Sequence, residues 1–256
     1  MSQDHTLMGS RYELKYIISE RVAVQIRHFV RQYLELDEFG QSQPSFAYPV
    51  HSIYFDSDDW KIYWRTINGD KNRFKLRLRY YSDNPATPIF VEIKRRMKDI
   101  ILKQRGRIEH HSVPELVAGH VPNGPHLRSG EELHAIERFI QLMHDLNARP
   151  RMHVAYDREA YVNDHNNEVR VTFDRNVRAV LRHDGKISTK LENPYICTTD
   201  QVILELKFSN RAPFWYRDLV ETFNCFQTGA AKFVESTNIH LGRDLPEKDI
   251  IRNMLL

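Results

Sequence analysis

Apolar and polar residues alternate along Arg73-Phe74-Lys75-Leu76-Arg77-Leu78-Arg79-Tyr80-Tyr81, the period of two that a β-strand imposes. One face carries Arg73, Lys75, Arg77 and Arg79; the other carries Phe74, Leu76, Leu78 and Tyr80. An ordinary half-buried strand also alternates, but with charges of mixed sign toward water. Two neighbouring segments repeat the cationic bias. Residues 89–96 set Glu92, Lys94 and Arg96 on one face, and residues 102–108 set Lys103, Arg105 and Arg107 on one face. The short connection at 97–99 predicts that these two strands pair antiparallel.

The same period predicts strands at 11–18, 50–55, 151–162, 169–173, 177–182 and 202–208. Their charged positions include Glu13 and Lys15, Arg158 beside Tyr156, Arg170, and Glu205 with Lys207. Helical spacing appears elsewhere. Ser19 is a candidate N-cap for a helix through Leu34 with a stripe of Val22, Ile26, Phe29, Val30 and Tyr33. A second amphipathic helix spans 131–146, and Pro213 opens a third to Phe223. Residues 230–237, with Lys232, read as helix or turn. Asp56, Asp58 and Asp59 lack the glycine and distal glutamate of an EF-hand, so they predict capping of a short helix at 60–67. Loops are expected at 40–45, 84–88 and 163–167, and an irregular connection with one helical turn at 113–130. Residues 1–9 read as a loose N-terminus, 10–243 as one domain, and 244–256 as a tail.

This order of elements predicts an α+β fold with a dominant antiparallel sheet. The three amphipathic helices can cover the apolar strand faces, which leaves the charged faces on the other side. About eight such strands curl toward a barrel with a charged lumen. Two like charges about 10 Å apart repel by about 1.7 kcal/mol at an effective dielectric near 20. Glu13, Glu92 and Glu205 lie on the same faces as the cations but are too few to neutralise them. The lumen therefore calls for an anionic guest, and a chain of phosphates supplies about one charge per unit.

Net charge adds little, at +3 from 37 Lys and Arg against 34 Asp and Glu; placement of the charges carries the argument. Cys197 and Cys225 give neither a disulfide framework nor metal-ligand spacing, and His110-His111 has no ligand geometry. No stretch reaches the ~20 apolar residues of a membrane helix, and no signal peptide is evident. The expectation is a soluble cytoplasmic protein, with peripheral docking at the inner face of a membrane through a partner subunit left open. RNA binding is disfavoured, because Tyr80, Tyr81 and Phe90 read as facing away from the cations.

Nine segments, in order, carry a resemblance: residues 11–16 (RYELKY), 52–56 (SIYFD), 75–81 (KLRLRYY), 91–94 (VEIK), 103–105 (KQR), 156–158 (YDR), 170–174 (RVTFD), 204–208 (LELKF) and 231–233 (AKF). Together they resemble the polyphosphate polymerase domain of the vacuolar transporter chaperone (VTC) family, within the CYTH-like triphosphate tunnel metalloenzymes. The resemblance implies an eight-stranded antiparallel barrel with helices outside. It implies transfer of the γ-phosphate of ATP to a growing polyphosphate chain, with Mn²⁺ or Mg²⁺. Arg77, Arg79, Lys94, Arg158, Arg170 and Glu205 take the catalytic positions by this resemblance. Lys15, Lys75, Lys103, Arg105, Tyr156, Lys207 and Lys232 would contact phosphate, Lys232 closing the bore. Glu205, with Glu13 or Glu92, would hold the metal. Two departures stand out. Arg11 replaces the first acid of the Glu-x-Glu-x-Lys strand of the tunnel hydrolases, which favours a polymerase over a triphosphatase. Thr228-Gly229 stands where a further basic residue is often found. A hydrolase of short polyphosphates and a non-catalytic polyphosphate-binding domain are the alternatives.

Overall fold

The computed structural model describes residues 11–97, 100–122, 129–163, 168–229 and 231–242. The expected loose N-terminus, most of the 163–167 linker and the C-terminal tail lie outside the described residues. Ten strands form one sheet: β1 (Arg11–Ser19), β2 (Glu35–Leu36), β3 (Ala47–Asp56), β4 (Asn72–Tyr80), β5 (Ile89–Met97), β6 (Ile100–Ile108), β7 (Arg149–Val162), β8 (Val169–Leu181), β9 (Tyr195–Ile196) and β10 (Gln201–Ser209). Eight follow the path β1-β10-β8-β7-β3-β4-β5-β6, antiparallel throughout, while β2 pairs with β7 and β9 with β8.

The expected barrel is thus a strongly curled open sheet. Its edge strands β1 and β6 approach to within 8 Å between Cα atoms, but no ladder joins them among the described residues. A side-chain ion pair crosses between the two ends instead: Lys94 of β5 donates to Glu13 of β1 at 2.7 Å. The two strands expected at 169–173 and 177–182 are one strand. A register shift opposite Ala155 and Asp157, with Asn176 at φ 51°, lets β8 bend without breaking.

Helices α1 (Glu20–Val30), α2 (Glu38–Gln41), α3 (Lys61–Ile67), α4 (Val113–Val117), α5 (Gly130–Asp145), α6 (Phe214–Thr222) and α7 (Lys232–His240) complete the fold. Ser19 caps α1 as expected, accepting from the Val22 amide. That helix ends four residues earlier than its stripe suggested, because a turn leads directly into β2. The expected 40–45 loop begins inside α2, whose N-cap Asp37 accepts from the Gly40 amide at 2.9 Å. Asp56 alone of the acidic cluster caps α3, accepting from the amides of Ile62 and Tyr63.

Apolar burial divides between two cores. Ala23, Ile26 and Val30 of α1 and Trp215 and Leu219 of α6 pack on Tyr16, Phe173, Leu204 and Leu206. Ile136, Phe139 and Ile140 of α5 pack on Leu76, Leu78, Val91 and Ile93. Each α5 and α6 contact uses the strand face opposite the cations, so the helices do lie outside.

Gly106 sets how closely α5 meets β6. A Cβ there would lie 2.6 Å from the Glu132 carbonyl oxygen and 2.6 Å from Ile136 Cγ1. Gly106→Ala should therefore destabilise the fold by about 1–3 kcal/mol, read as a lower urea midpoint at unchanged slope.

Candidate functional site

Strand register brings the charged rows together inside the curl. Tyr54, Arg77, Glu92 and Arg105 stand in one cross-strand row over β3, β4, β5 and β6. Lys75, Lys94 and Lys103 form the next row. On the facing wall Lys15, Glu205 and Thr172 form a row across β1, β10 and β8, and Glu13, Lys207 and Arg170 form another. Like charges so close demand counter-charge, and three clusters supply it.

The first cluster surrounds Glu92, whose side chain is 1% exposed. Arg77 donates to Oε2 through Nε at 2.8 Å, Arg105 donates to Oε1 at 2.9 Å, and Lys103 reaches Oε1 at 2.8 Å. Burial alone would raise the Glu92 pKa, but Arg77, Arg79, Lys103 and Arg105 outweigh it and hold the carboxyl well below its ordinary value.

The second cluster joins Glu205 to Asp174. Arg158 forks onto Asp174 with two bonds of 2.7 Å, and its Nη2 lies 3.3 Å from Glu205 Oε2. Lys232, at the start of α7, bridges Asp174 at 2.5 Å and Glu205 at 3.2 Å. Lys207 and Lys15 also reach Glu205, at 2.6 and 3.2 Å. Burial opposes charge on Glu205, and these four cations overcome it.

The third is Glu13, shared between Lys15 at 3.2 Å and Lys94 at 2.7 Å. Burial disfavours charge on Lys15, yet Glu205 and Glu13 raise its pKa above the ordinary lysine value.

Some bore groups remain unmet. Ser52 Oγ and Arg79 Nε are buried with no hydrogen-bond partner, and these residues are register partners on β3 and β4. The Arg79 Nη2 donates only a long 3.4 Å bond to the Tyr156 hydroxyl. Lys75 forms no ion pair among the described contacts; its ammonium stands 5.9 Å from the Phe233 ring. Burial, then Lys15, Lys94 and Arg77, pushes its pKa down to about 7. Burial also takes Lys103 to about 7 and Lys207 to about 8, against the pull of Glu92 and Glu205 respectively.

The structure therefore gathers Lys15, Lys75, Arg77, Arg79, Lys94, Lys103, Arg105, Arg158, Lys207 and Lys232 with Tyr156, Glu13, Glu92 and Glu205 on one concave face. Arg170 stands slightly apart, near one mouth, where Asp37 accepts from its Nη2 at 2.9 Å. Arg107 leaves the row and pairs with Glu132 of α5. Asp174, Ser52, Tyr54, Tyr48 and Asp37 were not anticipated as site residues. The period of two carried a signal for Asp174, which shares a face with Arg170 and Thr172, and for Ser52 with Tyr54. Glu235 of α7 was also missed. Burial raises its pKa although Lys232, Lys15 and Lys75 pull the other way.

One expectation is reversed. Phe90 shares its strand face with Glu92 and carries the Arg105 guanidinium 4.0 Å above its ring. Tyr81 packs on Phe90 and on Tyr48. Both aromatics stand on the cation side, and only Tyr80 points away. Tyr81, just past the end of β4, and Phe90, near the start of β5, lie on the face opposite to the one expected.

Among the described residues no group of three or more His, Cys, Asp or Glu side chains is placed to hold a metal ion. Among the described residues no helix is long and apolar enough to cross a membrane.

The family model of the VTC domain matches residues 10–240. Among curated proteins none matches the sequence. Two solved structures are similar over most of the chain. One is a candidate adenylate cyclase from Bacillus halodurans, with 11% identity and a TM-score of 0.49, covering 87% of this chain and 94% of that one. The other is a candidate adenylate cyclase from Vibrio parahaemolyticus, with 12% identity, a TM-score of 0.41 and coverage of 87% and 95%.

Two outcomes follow from the clusters. Glu92→Gln leaves Arg77, Arg105 and Lys103 without their shared anion, and should cost about 3–5 kcal/mol of stability. Added tripolyphosphate should then raise the melting temperature of this variant by more than it raises the wild type's. Lys75 is charged below its pKa, so tripolyphosphate affinity should fall as pH rises through about 7. Lys75→Arg, which stays charged, should weaken that dependence in calorimetric titrations.

Proposed function

The chain belongs to the VTC domain family, and we propose on that premise that it is a polyphosphate polymerase, moving the γ-phosphate of ATP onto a growing phosphate chain held along the bore. The observation that carries this reading is the buried pair Ser52 Oγ and Arg79 Nε without hydrogen-bond partners, on a bore row that continues along β4 to Lys75. Buried polar groups are almost always satisfied, and here the missing partner must suit a hydroxyl and a guanidinium at once. A phosphate oxygen does.

Phosphoryl transfer asks a protein mainly for alignment and charge neutralisation. Arg79 and Arg170 offer planar guanidinium groups that fit phosphate oxygens, and Arg77 and Arg158 add charge and N–H groups while tied to Glu92 and Asp174. Lys15, Lys75, Lys94, Lys103, Lys207 and Lys232 act as compact charges around them. Glu92, Asp174 and Glu205 keep this crowd in place before substrate enters, so little reorganisation is needed on binding. Tyr156 OH, beside Arg79, can donate to a phosphate oxygen. An oxygen of the acceptor chain's terminal phosphate attacks the γ-phosphorus of ATP, the bond from that phosphorus to the β,γ-bridging oxygen breaks and ADP leaves, so no covalent intermediate with the protein is required.

A divalent ion suits this site only in company with phosphate. Glu205 and Glu13 sit on either side of Lys15 Nζ and offer hard oxygen ligands. They are too few to complete a shell of six oxygens, and phosphates and water would supply the rest. Glu92, like Glu205, is wrapped by cations that an entering metal ion would have to displace. A bound Mg²⁺ or Mn²⁺ would add positive charge against the transferring phosphoryl group.

The test is incubation of the purified chain with ATP and Mn²⁺, followed by sizing of polyphosphate on a gel. Long polymer is expected, and Arg79→Ala and Glu205→Gln should each lower its rate by about 10²-fold or more. Orthophosphate without polymer would instead favour a hydrolase, and binding without turnover would favour a non-catalytic phosphate-binding domain.

A further inference from the structure

Followed toward one mouth, the bore-facing rows change character. On β4 and just beyond it, Lys75, Arg77 and Arg79 give way to Tyr81; on β5, Lys94 and Glu92 give way to Phe90; on β3 the row ends at Tyr48. Tyr81 joins the other two, 6.2 Å from Tyr48 and 6.1 Å from Phe90 between centroids. Phe39 of α2 then lies parallel to Tyr81, the two ring centroids 6.2 Å apart at an interplanar angle of 6°.

Phe39 is held there by its neighbours. Asp37 caps α2, and its other oxygen accepts from the Tyr48 hydroxyl and from Arg170, both at 2.9 Å. Gly40 keeps the segment tight, since a Cβ would stand 2.8 Å from the Phe46 carbonyl oxygen. Yet the Phe39 side chain leaves the residue 56% exposed. An aromatic ring fixed in place with a face to water, beside arginines, has the chemistry of a stacking platform. Arg105 links the two regions, lying over Phe90 while bonded to Glu92 in the bore.

We propose that this aromatic mouth binds the base of a nucleoside triphosphate, stacked against Phe39 and Tyr81, while its phosphates run inward past Arg105 and Arg79. The inference rests on the phosphate-bore reading above and adds to it the position of the nucleoside. It also fixes the direction of entry: triphosphate first, base last. Stacking is tolerant of base identity, so ATP and GTP should bind alike.

Calorimetric titration of the whole chain with ATP and with inorganic tripolyphosphate, both in EDTA to prevent turnover, separates the two layers. Phe39→Ala, at an exposed position, should weaken ATP binding roughly five- to tenfold and leave tripolyphosphate binding unchanged, and Phe39→Trp should restore ATP. If Phe39→Ala changes neither ligand, or weakens both equally, the base site is overturned while the phosphate bore stands. If the wild type binds neither ligand, the bore reading fails and the base site falls with it.

Discussion

Crowded cations on one concave surface are the constraint that orders this molecule. Each pair repels, and a fold that must hold them together needs a counter-charge for every local group. The chain solves this with single carboxylates placed at the junction of several strands. Glu92 of β5 gathers cations from β4 and β6, while Glu205 and Asp174 gather cations from β1, β7, β10 and α7. Each carboxylate is therefore a tie between strands as much as a neutraliser. The open edge between β1 and β6 is treated in the same way, because Glu13 and Lys94 span what backbone bonds do not.

That arrangement also explains which cations stay available. Arg158 has both forks filled by Asp174, so it is anchored in one position. Arg79 is buried beside Glu92 but only 3.8 Å from it, too far for a hydrogen bond. Lys75 forms no ion pair among the described residues, and its lowered pKa records burial first and then the repulsion of Lys15, Lys94 and Arg77. The groups with unmet demand thus follow one row of β4 from Arg79, with its β3 partner Ser52, to Lys75, between two walls already neutralised. An anion entering the bore gains most there.

Much of this was legible in the chain itself. Period-two alternation with one sign of charge located β4, β5 and β6 and their inward rows, and helical stripes located α1, α5 and α6. What failed did so for identifiable reasons. The 169–182 region looked like two strands because Arg175 and Asn176 interrupt the apolar pattern, whereas the structure absorbs them in a bulge with Asn176 in the left-handed region. Asp174 was passed over because an acid at a strand's end resembles a turn residue, and only the register against Arg158 reveals its partner. Closure of the sheet could not be read from strand number, since it depends on whether two edges meet in hydrogen-bonding register. Tyr81 and Phe90 were assigned to the wrong face because counting stopped at the cations.

The two ends of the bore differ, and this gives the channel a direction. At one end the first turn of α7 inserts Lys232 and Phe233 among bore-face residues: Lys232 lies 4.7 Å from the Tyr156 ring, and Phe233 stacks on Tyr54 at 4.8 Å. At the other end aromatic rings replace cations and Phe39 faces water. A uniform charged tube would hold a phosphate chain equally well in either sense. A tube with charge deep inside and rings at one rim distinguishes a molecule that is anionic at one end and aromatic at the other. Polarity of this kind follows from where the alternating rows run out of cations, so the same strand pattern that builds the binding surface also orients what enters it.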